Sequence, residues 1–109
     1  MRTALAFVLL TAGLTHAAEP RCATAAKEQA AKLLAFHFIE ADDRISIDGS
    51  VKVLPPLKNP ANKAQSFEVL EIWGSIYKGR YRMRLIYARL EASTECVLMG
   101  QEILEHASL

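Results

Sequence analysis

The chain is short of long apolar runs, of excess charge and of cysteine, and each shortage excludes something. Its one sustained apolar stretch, Ala4 to Leu10, is too short to cross a bilayer as a stable helix. The thirteen Lys and Arg less Arg2 leave twelve basic residues after Ala17 against twelve acids, so net charge offers no attraction to a polyanion. The two cysteines, Cys22 and Cys96, form no Cys-x-x-Cys pair, which removes the usual redox-active dithiol. There is no Gly-rich phosphate loop, no His-Glu-x-x-His, no Gly-x-Ser-x-Gly and no aspartate dyad at a pocket-forming spacing. His37 and His106 have no cysteine or carboxylate cluster at ligand spacing, so no metal or cofactor is expected. The chain has no internal repeat and no low-complexity tract.

What is present begins with MRTALAFVLLTAGLTHA. A basic Arg2, a short apolar core, and the small residues Thr15 and Ala17 predict a secretory signal peptide over residues 1–17, cleaved after Ala17 or Ala18. Residues 18–109 then make one small domain in an oxidising compartment, periplasmic or extracellular, and the short signal suits a bacterium. Cys22 and Cys96 are expected to pair there, closing nearly the whole domain into one loop.

Behind Pro20, the stretch EPRCATAAKEQAAKLLAFHFIE is rich in strong helix formers, and a helix is predicted from about Arg21 to Phe38. On a 3.6-residue wheel Cys22, Ala26, Ala30, Leu33 and His37 share the apolar face, flanked by Leu34 and Phe36. Large residues late in the helix imply a thicker core at the Phe36 end, with His37 as a packed core histidine. A charged break follows, in which Asp42 and Asp43 read as a solvated helix exit. Next come a short β-like piece, the Asp48-Gly49 turn signal, and a strand from Val51 to Leu54. Pro55 and Pro56 are expected to end that strand, leaving Leu57 to Ser66 as a polar connection.

The organising stretch is Phe67 to Leu90, a long β-hairpin expected to turn at Lys78-Gly79, where Gly79 can take a positive φ. Pairing Tyr77 with Arg80 sets Ile76 against Tyr81, Gly74 against Met83, Ile72 against Leu85 and Leu70 against Tyr87, and one face is then apolar throughout. After a turn at Glu91 to Thr94, the last strand spans Cys96 to Leu104. Cys96 and Leu98 must face the helix, which simple alternation would continue by burying Glu102. A bulge at Gly100 instead returns Ile103 to the core and brings Glu102 to Arg82 or Arg84. Five basic residues lie between Lys78 and Arg89 and four acids between Leu90 and Leu109, so neighbouring strands would answer one another, through Glu102 and Glu105.

The predicted architecture is α+β, one N-terminal helix packed on a four-stranded antiparallel meander. The order of elements resembles that of cystatin-like folds; the chain has no Gln-x-Val-x-Gly loop, and the resemblance implies a fold and no activity. With one helix, the second sheet face has no evident cover. Phe67, Val69, Trp73, Ile86, Ala88 and Leu90 fall on it with Tyr77, Arg80, Arg82 and Arg84. Aromatic, aliphatic and arginine side chains together have the composition of an interaction surface. The other outcome is cover from within, by the 40–50 segment or the C-terminal tail, or by Trp73 stacking under Arg84. Two functions follow. The first is an exported, non-enzymatic binding or inhibitor-type protein that uses Trp73, Tyr77, Arg80, Arg82, Arg84 and Ile86 for a protein partner or a second copy. The second is a small-molecule carrier or minor enzyme with a pocket between helix and sheet around His37, Tyr81 and Tyr87. The arginines imitate a strand-based nucleic-acid reader, but export and near-zero charge argue against one. No basic amphipathic helix is present to hold the chain on a membrane.

Overall fold

A computed structural model describes residues 19–37, 44–76, 79–89 and 94–106. The expected signal peptide, the Asp42-Asp43 break, Tyr77, Lys78, Leu90 and most of the turn before Thr94 lie outside these residues. Helix α1 (Ala23–His37) precedes strands β1 (Ile45–Ile47), β2 (Lys52–Asn59), β3 (Asn62–Ile76), β4 (Gly79–Ala88) and β5 (Leu98–His106). The class is α+β, as expected, with five antiparallel strands in one sheet, four of them in the meander. The fifth, β1, pairs with residues 74–76 of β3, while β2 pairs with residues 62–71, so the two lie end to end along one edge of β3. The opposite edge of the sheet is β5.

The helix lies on the inner sheet face, against β1, β3 and β4. Its first turn is set by the Pro20 carbonyl, which accepts from the Ala23 amide at 3.0 Å. Cys22, Ala26, Ala30 and Leu34 follow one another at four-residue steps and are fully or almost fully buried, so the helix backbone approaches the sheet over small side chains. They pack with Leu70, Ile72, Met83, Leu85, Tyr81 and Tyr87. Four-residue steps carry the contact line to Leu34, and Leu33 is only half-buried. The expected thick end of the core is therefore corrected: Phe36 is 84% exposed and His37 is exposed, its ring 6.0 Å from that of Tyr81.

The predicted disulfide is present between Cys22 and Cys96, with Cα atoms 5.8 Å apart. Beside it Arg21 Nη1 donates to the Glu95 carbonyl at 3.2 Å, a second tie between the helix start and the approach to β5. A disulfide places the folded chain in an oxidising, extracytoplasmic compartment. No helix among the described residues is long and apolar enough to cross a membrane.

Three strand assignments need correction. The hairpin register differs by two from the expected one: Ile76 faces Gly79, Gly74 faces Tyr81, Ile72 faces Met83 and Leu70 faces Leu85. A shift of two leaves every side chain on its own face, so hydrophobic alternation cannot detect it. What distinguishes the registers is charge, because the observed one sets Glu71 opposite Arg84 instead of Ile86. Gly79 then belongs to the strand, its φ outside the left-handed region. Its value is space, since a Cβ there would lie under 3 Å from the ring and hydroxyl of Tyr81, which folds back over it. Finally, Pro55 and Pro56 do not end β2. They occupy a register break between Leu54 and Leu57, and pairing resumes as far as Asn59, with Lys58 opposite Ser66 in the segment expected to be a loop. Prolines are tolerated there because the outer side of an edge strand needs no amide donors.

In β5 the expected bulge appears one residue early. Ile86 pairs with Gly100 and Tyr87 with Leu98, which leaves Met99 as the extra residue. Ile103 consequently packs against the core and Glu102 reaches Arg84.

Both core tyrosines have hydroxyl pKa values above the usual 10.0. Burial is the main cause for each; for Tyr81 the Glu105 carboxylate, which accepts from its hydroxyl at 3.4 Å, adds to it, and for Tyr87 the charge of Glu28 does. A raised folded-state value means the fold favours the neutral phenol. That stabilisation is complete below the unfolded value near 10.0 and is lost as pH rises through the folded values. Absorbance titration of phenolate is expected to show Tyr81 and Tyr87 ionising late and together with alkaline unfolding; ionisation of both near 10.0 in a folded chain would contradict it.

Candidate interaction face of the sheet

The outer sheet face is built in rows of directly opposed residues, each row crossing the strands. Leu57, Phe67 and Ala88 form one row, and Leu54, Val69, Ile86 and Gly100 the next. Then come Lys52, Glu71, Arg84 and Glu102, and beyond them Trp73, Arg82 and Leu104. Val97, whose carbonyl accepts from the Ala88 amide at 2.9 Å, extends the first row, because its neighbours Cys96 and Leu98 pack toward the core. Half of the face is thus aliphatic and half is charged and aromatic.

The aliphatic half holds a cleft of about 470 Å³ lined by Leu54, Pro55, Leu57, Val69, Arg84, Ile86 and Glu102. Val69 is the floor, 4% exposed, while Leu57 on the rim is 48% exposed. The register break at Pro55-Pro56 forms one wall, and the Arg84–Glu102 pair, 3.6 Å apart, closes the charged end. Among the described elements only α1 lies off the sheet, and it covers the inner face. Leu57, Val97 and Leu104 consequently remain exposed on the outer one.

Glu71 organises the charged half. Its Oε2 accepts from Arg84 Nε at 3.1 Å and lies 3.8 Å from Arg82 Nε, and the residue is only 7% exposed. A carboxylate removed from water to that extent is tolerable when two guanidinium groups flank it. Trp73 is half-buried by its own neighbours. The Arg80 guanidinium stands 5.1 Å from its ring centroid, and the His106 ring is 4.6 Å away, tilted by 53°. Arg80 is in turn held by Asp48 at 3.2 and 3.4 Å. The cation over Trp73 is therefore Arg80 and not the expected Arg84.

Of the residues singled out in the sequence, Trp73, Arg80, Arg82, Arg84 and Ile86 share this face, and Tyr77 lies outside the described residues. Cys22 and Cys96 form the disulfide on the helix side of the sheet. Sequence reasoning missed Glu71 as the central acceptor, and missed Leu54 and Leu57 as cleft residues because they flank two prolines; the symmetric Leu-Pro-Pro-Leu run was the available signal. Glu105, expected to answer an arginine, faces Tyr81 on the inner side.

The second predicted site has a different geometry. Ala26, Ala30, Leu34, Leu70, Ile72, Met83 and Leu85 have no exposed surface, so helix and sheet meet in a filled layer. A further cleft of about 500 Å³ opens among Asn62, Ala64, Gln65, Ser66 and Arg89, with one charged group and no acid–base pair. Among the described residues no three His, Cys, Asp or Glu side chains converge to hold a metal. No protein-family model, curated protein or solved structure matches this chain.

Proposed function

We infer that this is an exported bacterial binding or inhibitor-type protein without catalytic activity, periplasmic or secreted, whose outer sheet face receives a protein partner. The observation that carries this reading is the cleft over Val69: an aliphatic floor with exposed leucine at its rim, bounded by the Arg84–Glu102 pair and continuous with Trp73 and its arginines. That arrangement supplies an apolar centre and a polar margin, the composition expected of a specific interface. A carrier with a pocket between helix and sheet is disfavoured by the filled layer around Ala30 and Leu34. Export rests on the N-terminal signal pattern and agrees with the disulfide.

A photo-crosslinking amino acid at Leu57, on the rim of the cleft, is expected to form adducts with a polypeptide when the chain is expressed with its signal in a bacterium. The same group at Thr24, exposed on the helix on the opposite side of the sheet, is the control and is expected to give none. The mass of the chain in those adducts is expected to correspond to a start at Ala18 or Glu19. Equal yields at the two positions, or no adduct at Leu57, would sink the reading.

A further inference from the structure

The charged row across the outer face alternates in sign, Lys52 (+), Glu71 (−), Arg84 (+), Glu102 (−), over four adjacent strands. Its midpoint is the seam between β3 and β4, the centre of the meander. Two sheets stacked face to face by a two-fold axis parallel to that seam keep each residue at its level along the strands and reverse the order across them. Reversal turns this row into its own complement. Lys52 comes to face Glu102 of the second copy, and Glu71 faces Arg84 of the second copy.

The rows on either side obey the same operation. Val69 meets Ile86 and Leu54 meets Gly100, whose missing side chain leaves space above Ile86; the nearest atom to a Cβ there would be Ile86 Cδ1 at 3.5 Å. In the row beyond, Phe67 meets Ala88. On the other side Trp73 comes opposite Arg82 of the second copy. A two-fold axis running across the strands through the charged row fails, because it preserves strand order and sets Glu71 against Glu71 and Lys52 against Lys52. The geometry therefore selects one axis, and aligned stacking of two twisted sheets is a standard way to bury such faces.

Resting on the outer-face reading above, we propose that the occupant of this face is a second copy of the same chain, forming a two-fold sandwich about the β3–β4 seam, with Lys52–Glu102 pairs on both flanks and the Val69–Ile86 contacts at the centre. Because the face is self-complementary in charge, in apolar contact and in its one glycine, no other protein chemistry is needed to explain it.

The test uses the oxidised mature protein and two exposed edge-strand positions. Sedimentation equilibrium across micromolar to millimolar concentrations is expected to show the parent passing from one chain to two. Lys52→Glu and Glu102→Lys each place like charges opposite one another on both flanks and are expected to weaken association by at least roughly tenfold. Mixed in equal amounts, the two variants restore opposite charges on both flanks. On one flank the carboxylate introduced at position 52 faces the ammonium introduced at position 102, and on the other the original Lys52 and Glu102 still meet. The mixture is therefore expected to recover a dimer that neither variant forms alone. Intrachain effects of either substitution cannot produce that recovery. Should Glu102→Lys fail to fold beside Arg84, Ile86→Asp replaces it as the dissociating variant, and the double variant Lys52→Glu with Glu102→Gln, which exchanges the charge of one flanking partner for a neutral acceptor, is expected to associate more strongly than Lys52→Glu alone. A parent of one-chain mass throughout, charge variants that associate like the parent, or a mixture that stays monomeric would each overturn the proposal. If Leu57 nevertheless crosslinks to a different polypeptide, the second copy is wrong and the binding face stands. One-chain mass with no crosslink removes both.

Discussion

Replacing Cys22 and Cys96 by serine is expected to lower the thermal midpoint of the mature protein by roughly 20 °C. The bond joins residues 74 apart, and the chain-entropy model assigns roughly 4 kcal/mol to closing a loop of that length. For a domain of this size each kcal/mol moves the midpoint by about 4–8 °C. A small domain has about 5–15 kcal/mol in total, so this one bond is a large share of it. The local structure indicates where the loss is felt. Cys22 is 1% exposed and begins the line of buried helix positions, and beside it stands the exposed Arg21–Glu95 hydrogen bond. Without the disulfide, the N-terminal turn of the helix and the approach to β5 are expected to open first. Calorimetry of the oxidised protein against the double serine variant, with amide exchange on the helix, measures both effects. A midpoint within a few degrees of the parent would mean that the reduced unfolded chain is already compact, and would remove the disulfide as the main support of the fold.

How much of this is legible in the sequence depends on what each signal can distinguish. The disulfide follows from the cysteine count, the helix from its run of strong helix formers, and the class and the assignment of residues to sheet faces from the period-2 alternation of the hairpin. The hairpin register is not recoverable from the same source, since a slip of two residues preserves both faces; only the Glu71–Arg84 opposition separates the alternatives. Proline misleads at Pro55-Pro56, because its cost falls on a central strand and β2 is an edge. The end of the helix is ambiguous because Leu33 and Leu34 differ by about 100° on the wheel, and the choice between them decides whether His37 points in or out. Small buried alanines offer no preference, so the tie is broken by tertiary contact with Gly74, which no local pattern announces. The five described residues of the candidate face, Trp73, Arg80, Arg82, Arg84 and Ile86, fall together because parity protects face assignments. The cleft that Arg84 and Ile86 help to line escapes sequence reading, since three of its seven lining residues, Leu54, Pro55 and Leu57, come from the segment around the prolines.

Gly74→Val is expected to destabilise the fold by about 2–3 kcal/mol, the upper part of the usual range of about 1–3 kcal/mol for overpacking a filled core, although a β-branched residue in a strand interior would by propensity alone be favoured over glycine by up to about 1 kcal/mol. Packing outweighs propensity here because of what surrounds the position. A Cβ at Gly74 would sit 3.0 Å from Ile47 Cδ1, 3.0 Å from the Ser46 carbonyl oxygen and 3.1 Å from Leu34 Cδ2, so the helix, the edge strand and β3 converge on the missing side chain. Leu34→Ala in the same layer is expected to cost about 3 kcal/mol, from lost burial and the cavity it leaves. The two changes should not add. Truncating Leu34 removes one of the three close neighbours of residue 74, and the valine fills part of the space, so the double variant is expected to be about 1–2 kcal/mol more stable than the sum of the singles implies. Urea unfolding of the four proteins closes the cycle. Simple additivity would show that Leu34 and Gly74 do not share one contact, and that the backbone of Ser46 alone accounts for the glycine. A positive coupling would show that helix and sheet meet through this pair, on the face of the sheet opposite the charged row and the cleft.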